Sequence, residues 1–176
     1  AMTNWMEVLD RLYHVFRVRP FTTPRARVLT KMPKAYLWDS SLVPDPGARF
    51  ENLVALHLLK LCHTLEDTEG EPVALHYLRD REGREVDFLV TWKRKPWFAV
   101  EAKLSATSVA PSLVYFRELL GIPYSFQITR DGTPVSSGLV ADEGKMGRAP
   151  SRSSNQRYAI SSSPKSADAA PEVATR

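Results

Sequence analysis

Residues 84–104 read REVDFLVTWKRKPWFAVEAKL, and the fold turns on how this stretch is read. Two strand-like runs flank a basic turn at Lys93, Arg94, Lys95 and Pro96. Side chains on a strand alternate between the two faces of a sheet. Val86, Phe88 and Val90 therefore take one face, and Glu85, Asp87 and Leu89 the other. In the second run Phe98, Val100, Ala102 and Leu104 face one way, with Trp97, Ala99, Glu101 and Lys103 opposite. A turn centred on Arg94 sets Asp87 directly across from Glu101, and Lys103 across from Glu85. Like charges in directly opposed positions are destabilising. The two carboxylates need a cation, a shared proton or water between them.

The chain around this hairpin has 176 residues, enough for one domain with a core and additional segments. It is 43% hydrophobic and 25% charged, ordinary values for a globular protein. A net charge of +4 is compatible with a nucleic-acid partner. Cys62 is the single cysteine, which excludes a disulfide framework and a thiolate metal cluster and fits a reducing, cytoplasmic setting. The longest nearly apolar run, LVALHLL from Leu53, is too short to span a bilayer, and no signal peptide opens the chain.

In chain order, residues 3–15 carry Trp5, Val8, Leu9 and Leu12 at helical spacing. A short strand at 15–18 follows. Residues 19–34 hold Arg19, Arg25, Arg27, Lys31 and Lys34 among prolines. This reads as a solvated loop, or as a segment touching phosphates. Residues 35–39 (AYLWD) form a short strand, and Pro44, Asp45, Pro46 and Gly47 break the chain. The next helix is expected over 48–64. On a helical wheel Asn52, His57, Lys60, His63 and Thr64 make its polar side; Val54, Ala55, Leu58, Leu61 and Cys62 make its apolar side. Glu51 falls in the middle of the apolar side. Either it bends out to water near the helix start, or it aims at whatever that side covers.

After an acidic loop over 65–72, a strand at 73–78 leads into the hairpin. Pro111 and Gly121 bracket a helix over 111–120. Residues 122–129 are a last strand, which the helical crossover returns parallel to the strand before it. From 131 onward Gly, Pro and Ser recur, periodicity vanishes, and the segment reads as a disordered tail with Tyr158 and Ile160 as its notable apolar pair. The expected organisation is a leading segment over 1–47, a core over 48–130 and a tail over 131–176.

The order helix, three antiparallel strands, helix, strand, with acids at Glu51, Asp87 and Glu101 and the run Glu101-Ala102-Lys103, resembles the PD-(D/E)xK nuclease superfamily. Val86 stands where the family name has Pro. The wording FENLVALHLL, YLRDREGREVDFLV and FAVEAKLS, with RVRPFTTPRARVLTKMPKAYLWDSSL before it, is more similar to one branch, the uncharacterised C-terminal domain of prokaryotic AAA-type ATPases. The resemblance covers residues 5–130. It implies an α/β fold with a restriction-endonuclease-like αβββαβ core and a mixed central sheet flanked by helices. It also implies Mg²⁺, replaceable by Mn²⁺, held by Asp87, Glu101 and the Ala102 backbone carbonyl, with Glu51 completing the site. Lys103 would orient the attacking water or stabilise charge on the phosphate. DNA and an ATPase segment or subunit are the partners implied. The alternative is a non-catalytic nucleic-acid-binding or partner-docking module of the same fold.

An ATP site is not expected. The nearest approach to a phosphate-binding loop is GLVADEGKM over 138–146, whose glycines are wrongly spaced and whose Lys precedes Met. His14, His57, His63 and His76 show no zinc pattern. Ser112 and Ser125 lack a nucleophile-elbow context. Trp92, Trp97, Tyr115 and Phe116 either stack on bases or pack the core.

Overall fold

The computed structural model describes residues 2–22, 32–105 and 108–132. Arg25, Arg27 and Lys31 of the basic loop lie outside them, as do the loop-like stretch 138–146 and the Tyr158–Ile160 pair.

The described elements are α1 (Met2–Arg11), β1 (Val15–Pro20), β2 (Lys34–Leu37), α2 (Pro46–Glu69), β3 (Val73–Arg79), β4 (Glu85–Trp92), β5 (Lys95–Lys103), α3 (Pro111–Leu120) and β6 (Tyr124–Thr129), with a 3-10 turn at Ser40–Leu42. The six strands form one open sheet in the order β2-β1-β3-β4-β5-β6. β5 and β6 pair in parallel across α3, as expected of a helical crossover. β1 also pairs in parallel with β3, through Arg19–His76 and Pro20–Tyr77, and β2 runs antiparallel beyond it at the edge. The run α2-β3-β4-β5-α3-β6 has the expected αβββαβ order inside a mixed α/β sheet flanked by helices.

Each face of the sheet buries one core. Val54, Ala55, Leu58 and Cys62 of α2 pack on Val73, Leu75, Tyr77, Phe88, Val90, Phe98 and Val100. Leu113 and Phe116 of α3 pack on Leu78, Val86, Leu89 and Ala99 from the other side. Phe116 is fully buried, and Trp92 and Trp97 meet edge to face at 5.6 Å beside the first core, so these aromatics pack and are not free platforms for bases. No helix among the described residues is long and apolar enough to cross a membrane.

Several local expectations need correction. α2 starts at Pro46 and not at residue 48. The Asp45 side chain accepts a hydrogen bond from the Ala48 N–H at 2.7 Å, with Pro46 in the first turn, so what read as a chain break is a helix start. The helix also continues past residue 64 through the acidic segment to Gly70, which closes it at φ 67°. Asn52, placed on the polar side by the wheel, is buried, whereas Leu61, placed on the apolar side, is exposed.

The hairpin turn is tighter than expected. Lys93 and Arg94 occupy the two central positions with φ of 51° and 63°, both left-handed, the signature of a two-residue hairpin turn matching the twist of its strands. Such a turn alone would pair Trp92 with Lys95 and, counting on, Asp87 with Val100. Trp97 is an extra residue between Val90–Phe98 and Thr91–Pro96, and this bulge moves the register on by one. Beyond it Phe88 opposes Val100, the last paired rung, and this register is the one read from the sequence, whose next step would face Asp87 with Glu101.

Candidate functional site

The carboxylates gather where β4 and β5 part. The ladder ends at Phe88–Val100, and side chains take over the backbone pairing beyond it. The Ala102 N–H donates to Asp87 Oδ2 at 3.0 Å, and the Asp87 N–H donates to Glu101 Oε2 at 3.3 Å. In an extended strand a residue's N–H and C=O leave on the same side. The Ala102 carbonyl therefore faces β4 together with its N–H.

A second irregularity re-aims Asp87. His76 pairs with Leu89 and Leu78 with Val86, so Tyr77 alone faces both Asp87 and Phe88. Such a bulge bends the strand and redirects a side chain. Val86 accordingly packs with Leu89 on the α3 face and not with Phe88, contrary to simple alternation. Asp87 Oδ1 comes within 3.8 Å of the Lys34 ammonium.

Lys34 was expected in a solvated loop. It is instead the first residue of β2, and its Nζ lies 2.5 Å from Glu85 Oε1 and 3.3 Å from Glu51 Oε1. Glu51 does aim inward from α2, and its Oε1 also accepts from the Tyr36 hydroxyl at 2.7 Å. Lys103 Nζ pairs with Glu101 Oε1 at 2.7 Å and not with Glu85 across the strands, because Glu85 is taken by Lys34 and by Arg79 at 3.0 Å. Sequence reasoning missed Lys34 and Tyr36 as parts of the site. The Lys-x-Tyr alternation of β2, which puts both side chains on one strand face, was the available signal.

The site's electrostatics follow from this crowding. Burial, then the charges of Glu101 and Glu51, push the Asp87 carboxyl up to about 7, against partial relief from the Ala102 N–H and Lys34. Burial by itself would lower the Lys34 pKa, but the hydrogen bond that its ammonium donates to Glu85 and the charges of Glu51, Glu85 and Asp87 outweigh it and raise it. The hydrogen bond to Glu101 raises that of Lys103. Burial and Glu51 together raise the Tyr36 hydroxyl, which stays a proton donor.

Two clefts flank the cluster. One of about 640 Å³ is lined by Glu85, Asp87, Glu101 and Lys103 together with Ser108 and Ser112 at the start of α3. Another of about 330 Å³ is lined by Lys34, Tyr36, Glu51 and Asn52. Among the described residues no three His, Cys, Asp or Glu side chains converge as ready metal ligands. Asp87 and Glu101 are linked by the hydrogen bond from the Asp87 backbone N–H to the Glu101 carboxylate, whereas Glu51 shares the Lys34 ammonium with Asp87. His57 and His63 are exposed on α2, away from these acids.

A family model described as a domain of unknown function, DUF4143, matches residues 46–138, more than half of the chain. The chain belongs to the DUF4143 family. The matched span takes in Glu51, Asp87, Glu101 and Lys103, while Lys34 and Tyr36 precede it. No significant match was found among curated proteins or among solved structures.

Proposed function

We propose that this DUF4143 domain is a divalent-metal-dependent phosphodiesterase of nuclease type that acts on DNA. The observation that carries the reading is the pairing of half-buried Asp87 with buried Glu101 at the parted strand ends, with Lys103 beside them on a cleft of about 640 Å³. The donors fit a hard cation. Two carboxylates and the Ala102 carbonyl are all oxygen, the set that Mg²⁺ and Mn²⁺ take. Burial first, and then the charges of Glu101 and Glu51, raise the Asp87 carboxyl to about 7, a cost that a bound cation would offset.

Asp87, Glu101 and the Ala102 carbonyl would hold the ion, with Glu51 acting from the neighbouring face. When bound, the cation polarises a phosphate and lowers the pKa of a coordinated water. Glu101 and Asp87 keep each other oriented through their backbone hydrogen bonds. Lys103, partly exposed and tied to Glu101, presents its ammonium to the cleft, where it stabilises charge developing on a phosphate. The similarity to C-terminal domains of AAA-type ATPases makes an ATPase segment or subunit the proposed partner.

A second reading is a non-catalytic nucleic-acid-binding or docking module of the same fold. Lys34 favours it, since its ammonium already serves three of the carboxylates. Plasmid nicking separates the two. The enzyme reading expects Mg²⁺- or Mn²⁺-dependent nicking that is lost in Asp87→Ala, Glu101→Ala and Lys103→Ala. It also expects a metal-induced rise in Tm in the wild type that is absent in Asp87→Ala and Glu101→Ala. DNA binding without nicking or a metal-induced rise selects the module.

A further inference from the structure

We propose that Lys34 is a built-in counter-cation of the carboxylate cluster that competes with the divalent ion for it. This rests on the metal-site reading above and adds its regulation. The ion pairs set four carboxylates, Glu51, Glu85, Asp87 and Glu101, against three cations, Lys34, Arg79 and Lys103. Lys34 alone reaches three of the four, from 2.5 to 3.8 Å.

Its position is prepared by the fold. Lys34 enters β2 opposite Val18, and its ammonium lies 5.5 Å from the centre of the Tyr77 ring. The Tyr77 hydroxyl donates to the Met32 carbonyl at 3.0 Å and so fixes the backbone two residues before it. Asn52 holds the other end of β2, donating to the Leu37 carbonyl and accepting from the Leu37 N–H, both at 2.8 Å.

Charge balance decides the competition. With Lys34 in place, adding a divalent ion gives the cluster an excess of positive charge. Without it, four carboxylates face two protein cations, and one divalent ion restores neutrality. Like charges a few ångströms apart in a partly buried site repel strongly. Lys34 therefore has to withdraw from Asp87 and Glu51 before the ion is held tightly. In the absence of metal Lys34 offsets part of the cluster's negative charge, and the affinity for metal is set by how readily β2 releases this side chain.

The test is Mn²⁺ binding to the full chain, followed by calorimetry and by the electron paramagnetic resonance signal of free Mn²⁺. Lys34→Met, close in volume and uncharged, is expected to bind Mn²⁺ on the order of tenfold more tightly than wild type, within the ordinary range of coupling between sites. Lys34→Arg keeps the charge and the wild-type affinity. Arg79→Met removes a charge that contacts only Glu85 in this cluster and moves the affinity much less. Should Lys34→Met fail to fold, Lys34→Gln carries the same expectation. Unchanged or weaker Mn²⁺ binding in the uncharged variant, with the wild type still binding, overturns competition and leaves the metal site standing. Folded proteins that bind no Mn²⁺ at all overturn both.

Discussion

Replacing Asp87 by Asn should stabilise the metal-free protein at mildly alkaline pH, an unusual result for a half-buried polar residue with hydrogen-bond partners. The carboxyl is raised from 3.8 to about 7, with its side chain only 14% exposed. Because the folded-state pKa lies above the unfolded one, the fold disfavours the ionised form. Below the unfolded value both states are protonated and nothing is lost. The penalty grows as pH rises from 3.8 and is complete above about 7. At about 1.4 kcal/mol per pKa unit the full penalty is roughly 4 kcal/mol. Asn keeps an oxygen for the Ala102 N–H but loses the attraction of Lys34 and the stronger charge-assisted bond, so about 2 kcal/mol is the expected net gain. For a chain of this size that is a rise in Tm of about 4–8 °C. Thermal and urea unfolding in EDTA, read by circular dichroism from about pH 4 to pH 8, measures it. The two proteins should converge at the acid end and separate through neutrality. An Asn variant that is less stable than wild type at about pH 8, or a difference that does not change with pH, would refute the raised Asp87 carboxyl and with it the combined burial and crowding from which it is argued. Saturating Mg²⁺ should reverse the order by stabilising only the wild type.

Three further outcomes test the frame around the site. Asn52→Ala strands both the N–H and the C=O of Leu37 and should cost about 2–3 kcal/mol in urea unfolding, with β2 amides losing hydrogen-exchange protection first. Arg94→Gly relieves a left-handed position and should stabilise by about 0.5–1 kcal/mol, seen as a higher urea midpoint with an unchanged slope. The Cys62 thiol, buried and pushed up to about 12 by that burial and by Glu66, should resist iodoacetamide at neutral pH in the native protein and react once the chain is unfolded.

The core of the fold was legible because its signals are local. Alternation marked β4 and β5, the bracketing Pro111 and Gly121 marked α3, and the crossover made β6 parallel to β5. The register that ends at Phe88–Val100 and points Asp87 toward Glu101 was reached from a turn centre that was itself misplaced, since the tighter turn and the Trp97 bulge offset each other. Partners set by tertiary structure were hidden. β1 and β2 read as strands, but nothing in their residues says that β1 joins β3 in parallel and carries β2 to the sheet edge. Lys34 therefore looked like one more charge in a basic loop, although that placement brings it to the acids. Asn52 looked polar and hence exposed, because a wheel counts side-chain character and cannot see an edge strand offering its backbone. Glu51 was legible as an inward acid, while its two partners were not.

The bulge at Trp97 also has a meaning for chain length. It holds one residue of slack between the turn and the acids. A hairpin shortened by that residue, with its two-residue turn intact, would form an unbroken ladder and still bring Asp87 opposite Glu101. Keeping the length while ironing out the bulge would instead set Asp87 against Val100 and send the two acids to different faces. What aligns the pair is the number of rungs counted from the tip, not the number of residues, and Trp97 is the residue that is not counted.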